Sequence, residues 1–140
     1  MKRLLKILTW VIIIFLIVVV SSLSYIKFIL PNVSEAPDLK VEMTTNRIAR
    51  GEYLANHVTV CMDCHSVRDW TRFSGPPTDG TLGMGGDVFD QKFGFPGKYY
   101  AKNITPYGIG RYSDGELFRV ITTGVTKEDK ALFPIMPFHY

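Results

Sequence analysis

The stretch VCMDCHSV, residues 60–67, contains both cysteines of this 140-residue chain. Cys61 and Cys64 stand two residues apart, and His65 follows at once. A disulfide across two residues would close a very small loop and add little entropic stabilisation. A thioredoxin-like redox pair sits at a helix start after a strand; here the preceding residues read as a helix, with no βαβ pattern around them. A structural zinc ion takes four ligands. This trio offers three, two of them adjacent, and no second C-x-x-C completes the set.

C-x-x-C-H is also the attachment sequence of c-type haem. Each thiol adds across one vinyl group of the porphyrin to give a thioether, and the next residue, His65, binds the iron through its imidazole. The expected cofactor is therefore haem c, covalent and one per chain. This reading also accounts for the residues that follow. From about Asp69 to Arg111, glycines and prolines interrupt every candidate element. A loop region this long is unusual in a compact domain. It becomes reasonable if the loops wrap a large apolar group that supplies the core.

On either side the chain is more regular. Thr45 or Asn46 is expected to cap a helix from about Arg47, with Ile48, Gly51, Leu54, Ala55 and Val58 on one face. Phe89 to Tyr100 has room for a short hairpin. Ser113 and Glu116 form an S-x-x-E capping box ahead of Leu117, Phe118, Val120 and Ile121. Gly124 stands where a left-handed C-cap would end that helix.

Residues 7–20, ILTWVIIIFLIVVV, are almost wholly apolar. Roughly 20 helical residues cross a bilayer core, so Leu4 to about Phe28 is expected to span one. Lys2, Arg3 and Lys6 precede it without an acid, which holds the N-terminus inside and sends the domain to the periplasmic, extracytoplasmic side. A cleaved signal peptide, cut after Ser24, is the competing reading; both export the domain. The formal charge of +3 belongs to this segment: residues 1–30 carry four basic side chains and no acid, whereas residues 41–140 carry eleven of each sign. No basic stripe remains for nucleic acid. The expected organisation is an anchor over 1–30, a polar linker over 31–45 and a haem domain over 46–140.

Iron held by one histidine has a second axial position. Met43, Met62 and His57 read as packing or surface residues. Met84, in a glycine-rich loop, and His139 stay open as ligands, as does a vacant position. Met136 is favoured because Pro134 and Pro137 stiffen the backbone around it and present its thioether sulfur. Histidine–methionine ligation raises the reduction potential and suits electron transfer, whereas an open iron suits gas or peroxide chemistry.

RGEYLANHVTVCMDCH, NITPYGIGRYSDGELFRVITTGV and LFPIMPF, in that order, resemble the class I mono-haem cytochrome c domains. The nearest pattern is that of the cytochrome c subunits of membrane-bound alcohol and gluconate dehydrogenases. The resemblance implies a small all-α domain with long loops around a haem. It implies that Cys61 and Cys64 hold the haem and that His65 and Met136 are its axial ligands. Pro76 resembles a proline whose carbonyl accepts the proximal imidazole proton, and Asn103 to Pro106 resembles the loop at the haem edge. Those subunits carry several haem domains, whereas this chain has one C-x-x-C-H. Class I domains also close with a long helix; here Tyr140 is four residues past Met136, so a fragment, or completion by a partner, is expected.

The function expected is that of a membrane-tethered electron carrier or haem subunit, with no catalytic residue of its own. Its redox partners would be a dehydrogenase, a quinol-oxidising complex or a terminal oxidase. An open-site haem sensor or peroxidase-like protein is the alternative, and a cofactor-free thiol oxidoreductase the third reading.

Overall fold

The computed structural model describes residues 2–136 and Phe138. Pro137 and His139, both weighed above, lie outside the described residues. Helix α1 covers Lys2–Phe28, and its mean hydropathy and length are sufficient to cross a membrane. At 1.5 Å per residue it extends about 40 Å. The chain divides into two compact units, one of Pro37–Leu117 and one of Met1–Ala36 with Phe118–Tyr140.

The Pro37–Leu117 unit begins with the second half of the polar segment. Val41 N–H donates to Asp114 Oδ2 at 2.7 Å, so this part of the linker is docked on the protein. The next element, α2 (Thr45–Tyr53), is capped by Thr44, whose hydroxyl oxygen accepts from Arg47 N–H at 3.3 Å. This corrects the expected cap at Thr45 or Asn46. The preference of Thr for the cap holds at either position, but Thr44 is the one in extended backbone. The helix widens into a π turn over Leu54–Val58. Val60 then takes a left-handed conformation, φ 49°, and the four-residue helix α3 (Cys61–Cys64) begins. A β-branched residue in that region is strained, and here it separates α3 from the helix before it.

The glycine- and proline-rich stretch is tied by main-chain bonds. Arg68 closes one loop by donating from Nε and Nη2 to the carbonyls of Gly75 and Ser74, both at 2.5 Å, with its guanidinium stacked over Trp70. Strands β1 (Val88–Phe89) and β2 (Tyr99–Tyr100) pair antiparallel, at the place where a hairpin had room. Phe95 sits edge-on to both Phe89 and Tyr99. Helix α4 (Pro106–Ile109) is one turn with proline in its first position. The described residues are thus mainly helical, with one small ribbon in addition to the expected all-α elements.

Helix α5 (Asp114–Thr123) carries the capping box at its start: Ser113 N–H donates to Glu116 Oε2 at 2.7 Å, and Glu116 N–H to Ser113 Oγ at 3.2 Å. In the other unit the helix ends at Gly124, φ 70°. Beyond it, Leu132 N–H returns to Gly124 O at 2.8 Å, and Thr126 N–H to Lys130 O at 2.9 Å. Arg119 braces this turn, donating to Thr126 O and pairing with Asp129 at 2.6 Å. Val125, 3% exposed, is packed beneath.

The docked linker sets a sharp steric condition at α5. A Cβ on Gly115 would lie 1.9 Å from Pro37 O. Overpacking of this kind costs about 1–3 kcal/mol. Gly115→Ala is therefore expected to lower the denaturation midpoint and to open residues 37–43 to limited proteolysis, with cleavage sites read by mass spectrometry. A variant with unchanged midpoint and cleavage pattern would show that the linker is not held there.

Candidate haem-attachment site

The two cysteines and the histidine share one turn of backbone on α3. His65 N–H closes that turn by donating to Cys61 O at 2.9 Å. Both thiols are free and half-buried. Thr59 Oγ1 lies 3.0 Å from Leu54 O and 3.1 Å from Cys61 Sγ. A carbonyl can only accept, so the Thr59 proton goes to Leu54, and the Cys61 thiol donates to the hydroxyl oxygen. Burial pushes the Cys64 thiol above its ordinary range, and the Asp87 and Asp63 carboxylates push the same way, with Arg68 opposing them. Cys64 is therefore held as a thiol, the form that adds as S–H across a double bond.

The imidazole is fixed by the main chain. His65 Nδ1 is 2.7 Å from Lys102 O. Since the carbonyl can only accept, Nδ1 carries the proton and Nε2 keeps its lone pair. The ring therefore has the tautomer that a metal bond at Nε2 requires. The expected partner, the Pro76 carbonyl, is instead engaged with Asp69 N–H at 2.9 Å within the loop that Arg68 closes. The acceptor for His65 is Lys102, and the correction has a simple cause. Pro76 belongs to a loop with its own hydrogen bonds, whereas the extended run 101–104 passes beside the ring.

Asn103 follows the acceptor directly. Its Oδ1 accepts from Thr105 N–H at 2.9 Å and Thr105 Oγ1 at 2.7 Å, an Asx turn that leads into α4. Met62 packs toward Gly83 and His57 tilts against the Tyr53 ring, both as packing residues. Met84 is exposed, one residue before Gly85. Met136 belongs to the other unit. There it is half-buried, between two tight main-chain bonds, Ile135 N–H to Phe133 O at 2.8 Å and Phe138 N–H to Met136 O at 2.9 Å.

A haem fits these residues on two grounds. Two free thiols and an imidazole follow one another on a single turn of backbone. The second ground is burial. The buried residues of the Pro37–Leu117 unit are Ser66, Gly75, Gly83, Gly85 and Gly115. Not one is a large apolar side chain, while Ile48, Val58, Val60, Leu82 and Met84 are each more than half exposed. Apolar burial is the main driving force of folding, and the polypeptide of this unit does not provide it alone. A large apolar prosthetic group would. Sequence reasoning missed Lys102, because a main-chain acceptor leaves no side-chain signature.

No protein-family model matches the chain. It is similar to curated proteins over most of its length. It is 36% identical over 94 residues to the gluconate 2-dehydrogenase cytochrome c subunit of Pantoea cypripedii, covering 65% of this chain and 18% of that protein. Over 94 residues it is 31% identical to the cytochrome c subunit of the alcohol dehydrogenase (quinone) of Gluconobacter oxydans, covering 65% and 17%. The fructose dehydrogenase cytochrome subunit of Gluconobacter japonicus is 33% identical over 89 residues, covering 61% and 16%. The chain thus spans less than a fifth of the length of the curated relatives it matches.

Proposed function

We propose that this chain, similar in sequence to those subunits, is a membrane-tethered c-type cytochrome. It passes single electrons between a dehydrogenase or quinol-oxidising complex and an acceptor such as a terminal oxidase, and has no catalytic residue of its own. The observation that carries this reading is the group on α3: two free thiols beside an imidazole whose Nδ1–H is bonded to Lys102 O.

In this reading Cys61 and Cys64 would hold one haem through two thioethers, each formed by S–H addition across a vinyl double bond, which needs no oxidant. His65 Nε2 would bind its iron, and the bond at Nδ1 keeps the ring from turning away. Met136 Sδ would be the second protein ligand; main-chain bonds on both sides of residue 136 restrain its backbone. When bound, the haem would supply a one-electron couple, and the protein's part would be to hold these side chains still while the charge changes. Asn103 is assigned to the loop at the cofactor through its position beside the His65 acceptor.

Helix α1 provides the tether by its length and apolar character. The basic residues before it orient the haem domain to the periplasmic side. The sequence-related proteins are named as subunits of gluconate, alcohol and fructose dehydrogenases. They make a sugar- or alcohol-oxidising dehydrogenase the first partner to test.

The experiment is haem staining on a denaturing gel with an absorption spectrum, using full-length protein made with a haem-attachment system. Wild type is expected to stain, and to show sharp α and β bands when reduced and a weak near-infrared band when oxidised. Cys61→Ala/Cys64→Ala should lose the stain completely. Met136→Ala should keep the stain, lose the near-infrared band and become high-spin. A wild type that does not stain would sink the assignment. A stained but high-spin wild type would move it to the open-site sensor or peroxidase-like class.

A further inference from the structure

His65 is held at its ring and at its main chain by two runs of backbone that are themselves linked. Gly85 N–H donates to His65 O at 2.8 Å, and the next amide, Gly86 N–H, donates to Ala101 O at 3.0 Å. Ile104 N–H donates to Gly83 O at 2.7 Å. Residues 83–86 therefore lie between the His65 main chain and the 101–104 run. That same run presents the Lys102 carbonyl to His65 Nδ1. The ring and the backbone of His65 thus close a circuit through residues 85, 86, 101 and 102. The thickness of the middle layer fixes how far the Lys102 carbonyl stands from the imidazole.

Gly85 is where that layer can be only as thick as bare backbone. It is buried, at φ 74°. A Cβ there would lie 2.6 Å from Ala101 O, 2.7 Å from the Lys102 carbonyl carbon and 2.8 Å from Asn103 N. All three are main-chain atoms, which cannot swing aside as the end of a side chain can. Any side chain at 85 pushes the 101–103 backbone outward and takes the acceptor off Nδ1.

We infer that Gly85 is a positioning residue for the haem ligand: it sets the His65 Nδ1–H to Lys102 carbonyl bond, and through that bond the donor strength of Nε2 toward iron. This rests on the cytochrome reading above. An Nδ1–H held by a carbonyl makes the imidazole more basic. A more basic ligand favours the ferric over the ferrous state and lowers the reduction potential. Loosening the bond should therefore raise the potential, with the thioethers and both axial ligands still in place.

A control separates this from ordinary backbone strain. Gly80 has nearly the same left-handed conformation, φ 77°, but a Cβ there meets nothing within 4 Å. Gly80→Ala and Gly85→Ala thus carry similar conformational strain, and only the second moves the Lys102 carbonyl. The experiment is a spectroelectrochemical titration of haem-loaded wild type and both variants, with proton and nitrogen NMR of the His65 ring in the reduced proteins. Gly85→Ala is expected to stain for haem, to shift the midpoint potential upward and to lose a slowly exchanging Nδ1–H. Gly80→Ala should keep the wild-type potential and resonance.

Equal potentials and a protected Nδ1–H in all three proteins would overturn the inference and leave the cytochrome assignment standing. Absence of haem stain in wild type would instead count against that assignment. Should Gly85→Ala yield no loaded protein, wild type still decides. Its Nδ1–H must exchange slowly and show cross-relaxation to the α-protons of Lys102 and Gly85; a rapidly exchanging proton with neither contact overturns the inference.

Discussion

One hydrogen bond, from the His65 ring to the Lys102 carbonyl, ties the chemistry of this protein to its fold. It selects the tautomer, so that the nitrogen facing away from the backbone can bind a metal. It also brings residue 65 against a segment 37 positions later. Between those two points the chain has no long helix or sheet to carry the connection. The stretch is instead drawn together by individual amides: Gly85 to His65, Gly86 to Ala101, Ile104 to Gly83, Thr78 to Val67. Loops hydrogen-bonded in this way are stiff enough to define a ring orientation, although they bury almost no apolar surface of their own.

The two units meet different demands. In Pro37–Leu117, a short helix gathers thiols and imidazole, and a left-handed Val60 separates that helix from the one before it. In the other unit, Arg119 braces a turn that follows α5, and the chain beyond carries Met136 between two tight backbone bonds. A thioether, the ligand proposed at Met136, would need no proton to be placed or removed, so main-chain restraint would be enough for it. An imidazole has two nitrogens and two tautomers, and it needs a hydrogen-bond partner to make the choice. The difference in how the two side chains are supported follows from that chemistry.

Several features could be read from residue types because they depend on neighbours in sequence. The capping box at Ser113 and Glu116, the left-handed Gly124, the apolar helix near the N-terminus and the ribbon close to Phe89 and Tyr100 are all local. The cysteine–histidine spacing is local too. What could not be read depends on which loop passes beside which. Pro76 had the right residue type for a carbonyl partner of His65, but its loop is closed on itself by Arg68 and Asp69. The acceptor at Lys102 has no signature, because every residue carries a carbonyl. The docking of the linker by Val41 on Asp114 was hidden for the same reason: a polar, proline-containing segment reads as free chain until its amides are seen to have partners.

The small buried core of the Pro37–Leu117 unit has a consequence for how such a domain persists once made. A protein completed by a reversibly bound ligand owes part of its stability to the free concentration of that ligand, through mass action. Dilution or export into a compartment without the ligand would then loosen it. The proposed haem, joined by thioethers to Cys61 and Cys64, would not dissociate, so its contribution would be independent of concentration. A domain whose polypeptide buries so little apolar surface would gain more from such a permanent bond than a domain with a full core. On this view the two cysteines would secure the fold at infinite dilution as well as hold the cofactor.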